Sequence, residues 1–197
     1  MRTYKTNFKN MILETIVITQ NNEGDVHLAP MGIHKLEDEF IILPFRPSTT
    51  LNNLLTTGSA TINFCDDVRV FAGCLTGRRN WPLMDAEKIR GKVLVNTLAH
   101  TEVDLTRIEE DPARPKLFCN AVHSVNHAPF MGFNRAQYSV LEAAILVSRL
   151  NMLPWDKIES ELNYLRIGLE KTAGPRELEA WSWLMAAIEQ HQEEKNA

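Results

Sequence analysis

A chain of 197 residues is long enough for one domain with a sizeable core, or for a barrel with a helical appendage, and too short for two full catalytic domains. Its 21 basic and 25 acidic side chains leave a formal charge of −4, and a pI near 5.9 supplies no global basic field to hold nucleic acid or an anionic membrane. Residues Met1 to Asn10 are polar with no apolar leader core, and no stretch approaches the roughly 18 consecutive apolar residues of a spanning helix. The expected address is the cytoplasm, with neither nucleic acid nor membrane as a partner. Three widely spaced cysteines, Cys65, Cys74 and Cys119, form no CxxC pair and no disulfide framework, and read as buried thiols.

Met11 to Thr19 is rich in β-branched residues, and the cluster Asn21-Asn22-Glu23-Gly24 breaks it before Val26 resumes an extended pattern, which predicts a hairpin. Pro30 and Gly32 inside the second arm imply an edge, a bulge or close approach by a ligand. After Glu37-Asp38-Glu39, the run Phe40 to Phe45 reads as a strand buried on both faces. Leu51, Leu54 and Leu55 then fall at helical spacing, with Ser48 placed to cap the amino end and Gly58 to stop the carboxyl end. Strand-like runs come next at Ala60 to Cys65, Val68 to Leu75, Lys92 to Leu105 and Lys116 to Val125. From Asn134 the period changes. Asn134 with Gln137 resembles a capping box opening a helix through Arg149, and Pro154 stops anything continuous beyond it. Ile158, Leu162, Leu165 and Leu169, then Leu178, Trp181, Met185 and Ile188, mark two amphipathic helices joined at Gly174-Pro175, with a charged tail from Glu189 expected to fray.

The segment Phe45-Arg46-Pro47-Ser48-Thr49-Thr50-Leu51-Asn52-Asn53 leads from a strand into a helix amino terminus crowded with hydroxyls and preceded by an arginine. Unpaired first-turn N–H groups, the positive end of the helix dipole, the hydroxyls and one guanidinium together suit a phosphate dianion. The same residues also fit a plainer account, in which Ser48 only caps, Thr49 and Thr50 are solvated and Arg46 makes a surface ion pair. Local chemistry alone favours that account, because hydroxyl caps are routine.

The succession Leu13-Glu14-Thr15-Ile16-Val17, Ala29-Pro30-Met31-Gly32, Pro44 to Leu54, Asn63-Phe64-Cys65-Asp66-Asp67, Ala99-His100-Thr101-Glu102 and Phe133-Asn134-Arg135-Ala136 resembles a family of small archaeal and bacterial proteins filed under a domain of unknown function. The resemblance runs from about Leu13 to Leu153. Members resemble FMN-binding split barrels related to flavin reductases, typically homodimers with two flavin sites at the subunit interface. The resemblance implies that Ser48, Thr49, Thr50 and Asn53 lie where the FMN phosphate binds, and Arg46 adds a guanidinium beside them. It also implies that the strand through Ala29 and Met31 runs along the isoalloxazine, with backbone amides at its N5 and O2, Met31 as soft packing and Gly32 allowing close approach. His27, on the same strand face as Ala29, is a further candidate. Family members occur in organisms with methanopterin-type one-carbon metabolism, which hints at a pterin.

Arg135, Glu142 and Arg149 recur every seven residues as one charged stripe on a largely apolar helix, so an internal or dimer-interface network is expected, with Arg135 able to reach a cofactor. His100 and Glu102 share a strand face. His123 and His127 have metal-like spacing but lack the glutamate of HExxH and sit beside Pro129, so no metal is expected. GxSxG, GxGxxG and GxxxxGK[ST] are all absent, which lowers the hydrolase, Rossmann and P-loop readings.

The expectation is an α+β architecture, an antiparallel FMN-binding split barrel over residues 1–130 with C-terminal helices over 131–197 packed on it or on a partner subunit. The expected cofactor is FMN. The expected activity is that of a flavin-reductase-like oxidoreductase acting on a small molecule, with no residue assigned a catalytic role. The alternative is a non-enzymatic binding or assembly protein that keeps the split-barrel dimer and binds another phosphate or pterin.

Overall fold

A computed structural model describes residues 11–36 and 39–196. The polar segment Met1 to Asn10, expected to hold no leader core, lies outside the described residues, as do Glu37 and Asp38. In chain order the elements are β1 (Ile12–Gln20), β2 (Val26–Lys35), β3 (Glu39–Ile42), α1 (Thr49–Thr57), β4 (Ser59–Phe64), α2 (Val68–Leu75), β5 (Leu83–Asp85), β6 (Lys92–Leu94), β7 (Ala99–Glu109), β8 (Lys116–Asn126), α3 (Arg135–Val147), α4 (Trp155–Thr172) and α5 (Pro175–Asn196). Six strands close into a barrel in the order β1-β2-β3-β8-β7-β4, and β5 and β6 form a separate two-stranded sheet. The α+β class with a barrel and C-terminal helices is therefore observed.

Two compact units emerge, each drawn from several stretches of chain. One contains the residues up to Ile62 with Asp85–Lys92 and Thr101–Val125; the other contains Asn63–Met84, Val93–His100 and the chain from Asn126 onward.

The first unit is organised by the β1–β2 hairpin. Asn21 turns the chain by accepting, at Oδ1, the N–H groups of Glu23 and Asp25 at 3.0 and 2.8 Å. The antiparallel register then runs one to one from Gln20↔Val26 to Ile12↔His34 without a bulge. Thr15 to Thr19 are buried without alternation, so both faces of β1 are covered. Among the described residues β2 meets β3 only at His34 and Lys35. Among the described residues β2 is thus paired from Val26 to Ile33 with β1 alone, and Pro30, with no N–H to give, stands in that stretch. β3 is shorter than the expected run to Phe45, because it ends at Ile42.

The second unit is built on a helical core of Val68, Ala72, Val140, Ala143, Leu162, Leu165, Leu184 and their neighbours. Its α2 corrects an expectation. Val68 to Leu75 reads as a strand, yet Asp67 caps it as a helix by accepting from Arg69 N at 3.2 Å. Six of its eight residues are buried, and an apolar run buried on all sides carries no period to separate helix from strand. The run expected over Lys92 to Leu105 is likewise two strands, β6 and β7, divided at residues 95–98.

Asn134 caps α3, accepting from Ala136 N at 2.8 Å, but Gln137 does not close a capping box; it donates to the Asp66 carbonyl at 3.2 Å. α4 buries Ile158, Leu162, Leu165 and Leu169 as its spacing requires. α5 buries Ala180, Trp181, Leu184 and Ile188, leaving Leu178 exposed, and continues as helix through the charged tail to Asn196. The reciprocal half of a capping box appears here instead, with Glu177 accepting from Gly174 N at 2.9 Å.

α3 and α4 approach closely at Gly168, where an added Cβ would lie 2.7 Å from Ser139 Oγ. That hydroxyl is held by its bond to the Leu165 carbonyl at 2.8 Å. Alanine is favoured over glycine inside a helix by about 1 kcal/mol, but overpacking against a fixed buried atom costs about 1–3 kcal/mol. Gly168→Ala is expected to lower the chemical-denaturation midpoint, and adding Ser139→Ala to recover most of the loss. An unchanged midpoint in the single variant would show that the helices part without cost.

Candidate functional site

The strand-to-helix segment has the geometry of a built junction. Arg46 N donates to the Ala113 carbonyl at 2.9 Å, the chain turns through Pro47, and Ser48 in an extended conformation caps α1 by accepting from Leu51 N at 3.3 Å. Gly58 ends α1 in the left-handed region, its N–H donating to the Leu54 carbonyl. Leu51 and Leu54 are buried, and so are two polar residues, Thr50 and Asn53; Thr49 is exposed.

Asn53 explains how α1 is seated. Its Nδ2 donates to Thr19 Oγ1 at 3.1 Å in a buried bond, and Thr19 is the register partner of His27. Opposed residues in a sheet share a face, so Asn53, Thr19 and His27 form one polar line from helix to strand. Two and four residues along the same face stand Ala29, opposite Val17, and Met31, opposite Thr15. Thr15 Oγ1 donates to the Met31 carbonyl at 3.0 Å. Gly32 does not offer the close approach expected of it. A Cβ there would meet Ile12 Cγ2 at 2.9 Å and Glu14 Oε1 at 3.3 Å, so β1 side chains already cover it.

Arg46 packs against the turn that leaves β7. Its guanidinium pairs with Glu110 and donates through Nε to the Asp111 carbonyl at 3.3 Å, and both members of the ion pair are substantially exposed. The turn itself is rigid: Asp111 Oδ1 accepts from Arg114 N and Ala113 N at 2.7 and 2.9 Å, bonds that hold its carboxyl below the usual range. Arg114 in turn donates to the Leu43 carbonyl at 3.0 Å and lies over the Phe45 ring. Thr19 and Glu110 were not singled out in the sequence. Thr19 shares a strand face with Thr15, and an alternating threonine pair in an otherwise apolar strand is the signal that points to it.

Within the same unit, Glu102 is fully buried and takes three consecutive backbone donors, Glu87 N, Lys88 N and Ile89 N, at 2.7, 2.7 and 2.9 Å. This anchors the 86–91 turn from inside. Arg90 and Glu87 fasten it further, to the Asn22 carbonyl at 2.9 Å and to His123 at 3.3 Å.

Arg135 belongs to the other unit, as the first residue of α3. It is exposed there, as is Arg149 beyond the helix end, while Glu142 is half-buried. The face of α3 turned inward consists of Ala136, Ser139, Val140, Ala143, Ala144 and Leu146. The charged stripe is thus not an internal network, because its two arginines lie on the side of the helix left to solvent. His100 Nδ1 and His127 Nε2 lie 2.8 Å apart with stacked rings, so His127 and His123 serve different neighbours. Burial pushes the thiols of Cys65, Cys74 and Cys119 up to about 12, about 11 and about 12. Burial thus disfavours their thiolate forms at neutral pH.

Two family models match the sequence, the N-terminal domain of "protein of unknown function (DUF447)" over residues 13–128 and a second DUF447 model over 134–186. The chain belongs to the DUF447 family. No curated protein matches it. Among solved structures, an FMN-bound DUF447 protein from Methanosarcina mazei superimposes with a TM-score of 0.77 at 18% identity, over 91% of this chain and 96% of the other. The 2-nitrobenzoate 2-nitroreductase of Pseudomonas fluorescens gives 0.52 at 17% identity, over 57% and 64%. Nitrilotriacetate monooxygenase component B from Mycobacterium thermoresistibile gives 0.52 at 12%, over 60% and 71%. The DUF447 chain thus shares the flavin-reductase-like barrel fold, and among its described residues no helix is long and apolar enough to cross a membrane.

Glu102→Gln tests the buried anchor. An amide keeps one acceptor oxygen and sets an NH2 group against backbone N–H donors, so stability is expected to fall by about 2–4 kcal/mol. Hydrogen exchange at residues 87–89 should accelerate ahead of the barrel strands. Exchange that changes uniformly across the unit would show that Glu102 supports the core rather than the turn.

Proposed function

We propose that this DUF447 protein is an FMN-binding flavoprotein. The flavin phosphate is held at the amino end of α1 by Ser48, Thr49, Thr50 and Asn53 with Arg46, and the ring lies along His27, Ala29 and Met31. The observation that carries the reading is that the hydroxyl-rich helix start and the Val26 to Ile33 stretch of β2 belong to one unit and meet through Asn53, Thr19 and His27. The donor set suits the two ends of FMN. A phosphate dianion takes first-turn N–H groups, hydroxyls and a guanidinium; Ser48, while accepting from Leu51 N, keeps its own proton to donate. The polar edge of the ring takes main-chain N–H and C=O groups, which β2 can offer where, among the described residues, it is paired with β1 alone. The FMN-bound structure of a protein of the same family supports the choice of flavin.

Arg46 has two candidate partners, and magnitude decides between them. An exposed ion pair such as Arg46–Glu110 contributes about 0–1 kcal/mol, whereas a charge-assisted hydrogen bond contributes about 1.5–3 kcal/mol. A phosphate at the start of α1 would therefore draw the guanidinium from Glu110. FMN supplies hydride and single-electron chemistry when bound; the chain binds the phosphate, orients the ring and shields one face with Met31. A small-molecule oxidoreductase is the activity that such a cofactor serves, with reduced or oxidised pterins as the first substrates to test.

The assembly is read as a homodimer, on different grounds from those suggested by the sequence. The apolar face of α3 is covered by α4 and α5 of the same chain. Phe130, Met131 and Phe133, by contrast, stand exposed before α3, with Phe130 and Phe133 edge to face at 5.1 Å. Light scattering at micromolar concentration is expected to give twice the 22.4 kDa chain mass, and Phe133→Asp to shift it toward one chain.

Riboflavin lacks the phosphate and so isolates its contribution. Arg46→Ala is expected to weaken FMN by about 1.5–3 kcal/mol, roughly ten- to a hundredfold, and to leave riboflavin unaffected. Thr50→Val should act in the same direction with a smaller effect. If calorimetry gives an unchanged FMN-to-riboflavin ratio in both variants, the segment is a structural junction and not a phosphate site.

A further inference from the structure

We infer that the helical unit carries a second ligand site, for a small monocarboxylate with an apolar body, between the α3–α4 connection and the carboxyl end of α5. A cavity of about 300 Å³ lies there. Leu150, Leu153, Trp155 and Ile158 supply an apolar wall, and His191, Gln192 and Lys195 supply the polar one. A few polar groups set on a mostly apolar lining are the usual make-up of a small-molecule site.

Two features select an anion. His191 and Lys195 stand one helical turn apart, so both present to the same side of α5. His191 Nε2 is buried and, among the described residues, has no hydrogen-bond partner. A buried polar atom left without a partner is uncommon in a native structure, and a ligand oxygen answers it. Among the described residues Lys195 is the one charged group on this wall. Glu194 lines the neighbouring cavity of about 530 Å³, which Leu150 and His191 also border, and its carboxylate accepts from Gln190 Nε2 at 2.9 Å. One lysine beside one histidine matches a single carboxylate better than a phosphate dianion, and Leu150, Leu153 and Ile158 around the Trp155 ring match an aromatic or branched aliphatic body. None of these residues belongs to the proposed flavin site, so the two readings stand or fall separately.

Phenylacetate is the probe, phenylacetamide its neutral counterpart, and the fluorescence of Trp155 in the intact protein the readout. Trp155→Phe identifies which part of the signal comes from that residue. Phenylacetate is expected to produce a saturable change in the millimolar range or below, and phenylacetamide to bind at least about tenfold more weakly. Lys195→Met and His191→Phe should each weaken phenylacetate by about tenfold or more while far-ultraviolet circular dichroism keeps the helical signal. Lys195 is exposed, so its replacement tests the site even if the histidine variant fails to fold. A change that does not saturate, equal binding of acid and amide, or undiminished binding by Lys195→Met would each overturn the assignment.

Discussion

The register between β1 and β2 is the constraint on which the rest of the barrel unit depends. Because side chains alternate with a period of two, a slip of one residue would turn every one of them to the opposite face. Thr19 would then leave Asn53, and Thr15 would leave the Met31 carbonyl. β1 is buried on both faces from Thr15 to Thr19, so neither threonine can fall back on water. A buried hydroxyl without its bond costs about 1–3 kcal/mol, which penalises any alternative pairing at two points at once. α1 is seated by the same bond that fixes the strand, and its amino end, with Ser48, Thr49 and Thr50, is carried to its position by that seating.

What was legible in the sequence was local. The hairpin could be read because Asn21 is a residue that satisfies two turn amides by itself, and α1 because Ser48 and Gly58 bracket an apolar spacing. α4 could be read from four leucine-type residues that all proved buried. Where the pattern lacked a polar side, the reading failed. α2 is apolar nearly all round, and the β-branched Val68 and Val70 argued for a strand, although Asp67 stood at the cap position in plain view. The pairing of β3 with β8, across some eighty residues of chain, had no signature at all, since a strand carries no mark of which distant strand it will meet.

The candidate site divides along the same line. Arg46, Ser48, Thr49, Thr50 and Asn53 drew attention as a contiguous string, and the structure gives each a definite place in one junction. Their partners, Thr19 and Glu110, come from remote positions; only the spacing of Thr15 and Thr19 on one face of an apolar strand hints at the first, and nothing near Glu110 hints at the second. The α3 stripe shows the converse, because an internal network was one of its two expected roles and both arginines are exposed. Its seven-residue spacing was real, but spacing fixes only that three side chains share a face. Which face turns inward was settled by Ala136, Val140 and Ala143, small residues that let α4 approach closely enough for Gly168 to need its missing Cβ.

Two buried carboxylates show how each unit handles a charge it has removed from water. Glu102 is met by main chain: three successive N–H groups converge on it. Asp67 is solved by a helix start and a guanidinium. Its carboxylate caps α2, takes Arg69 Nε and Nη2 at 2.9 and 2.7 Å, and shares that arginine with Glu179 on α5 at 3.1 Å. The Asp67 bonds, with Glu179 adding to them, hold the Arg69 guanidinium firmly charged. The difference has a mechanical consequence. Amides can be gathered only by folding a turn around the acid, so Glu102 specifies the local shape of residues 86–91. A long arginine can reach across, so Arg69, held in two bonds by Asp67 at the start of α2, joins α2 to α5 through its contact with Glu179. Removing Glu102 strands the amides of the 86–91 turn, whereas removing Asp67 leaves α2 uncapped and Arg69 held by Glu179 alone.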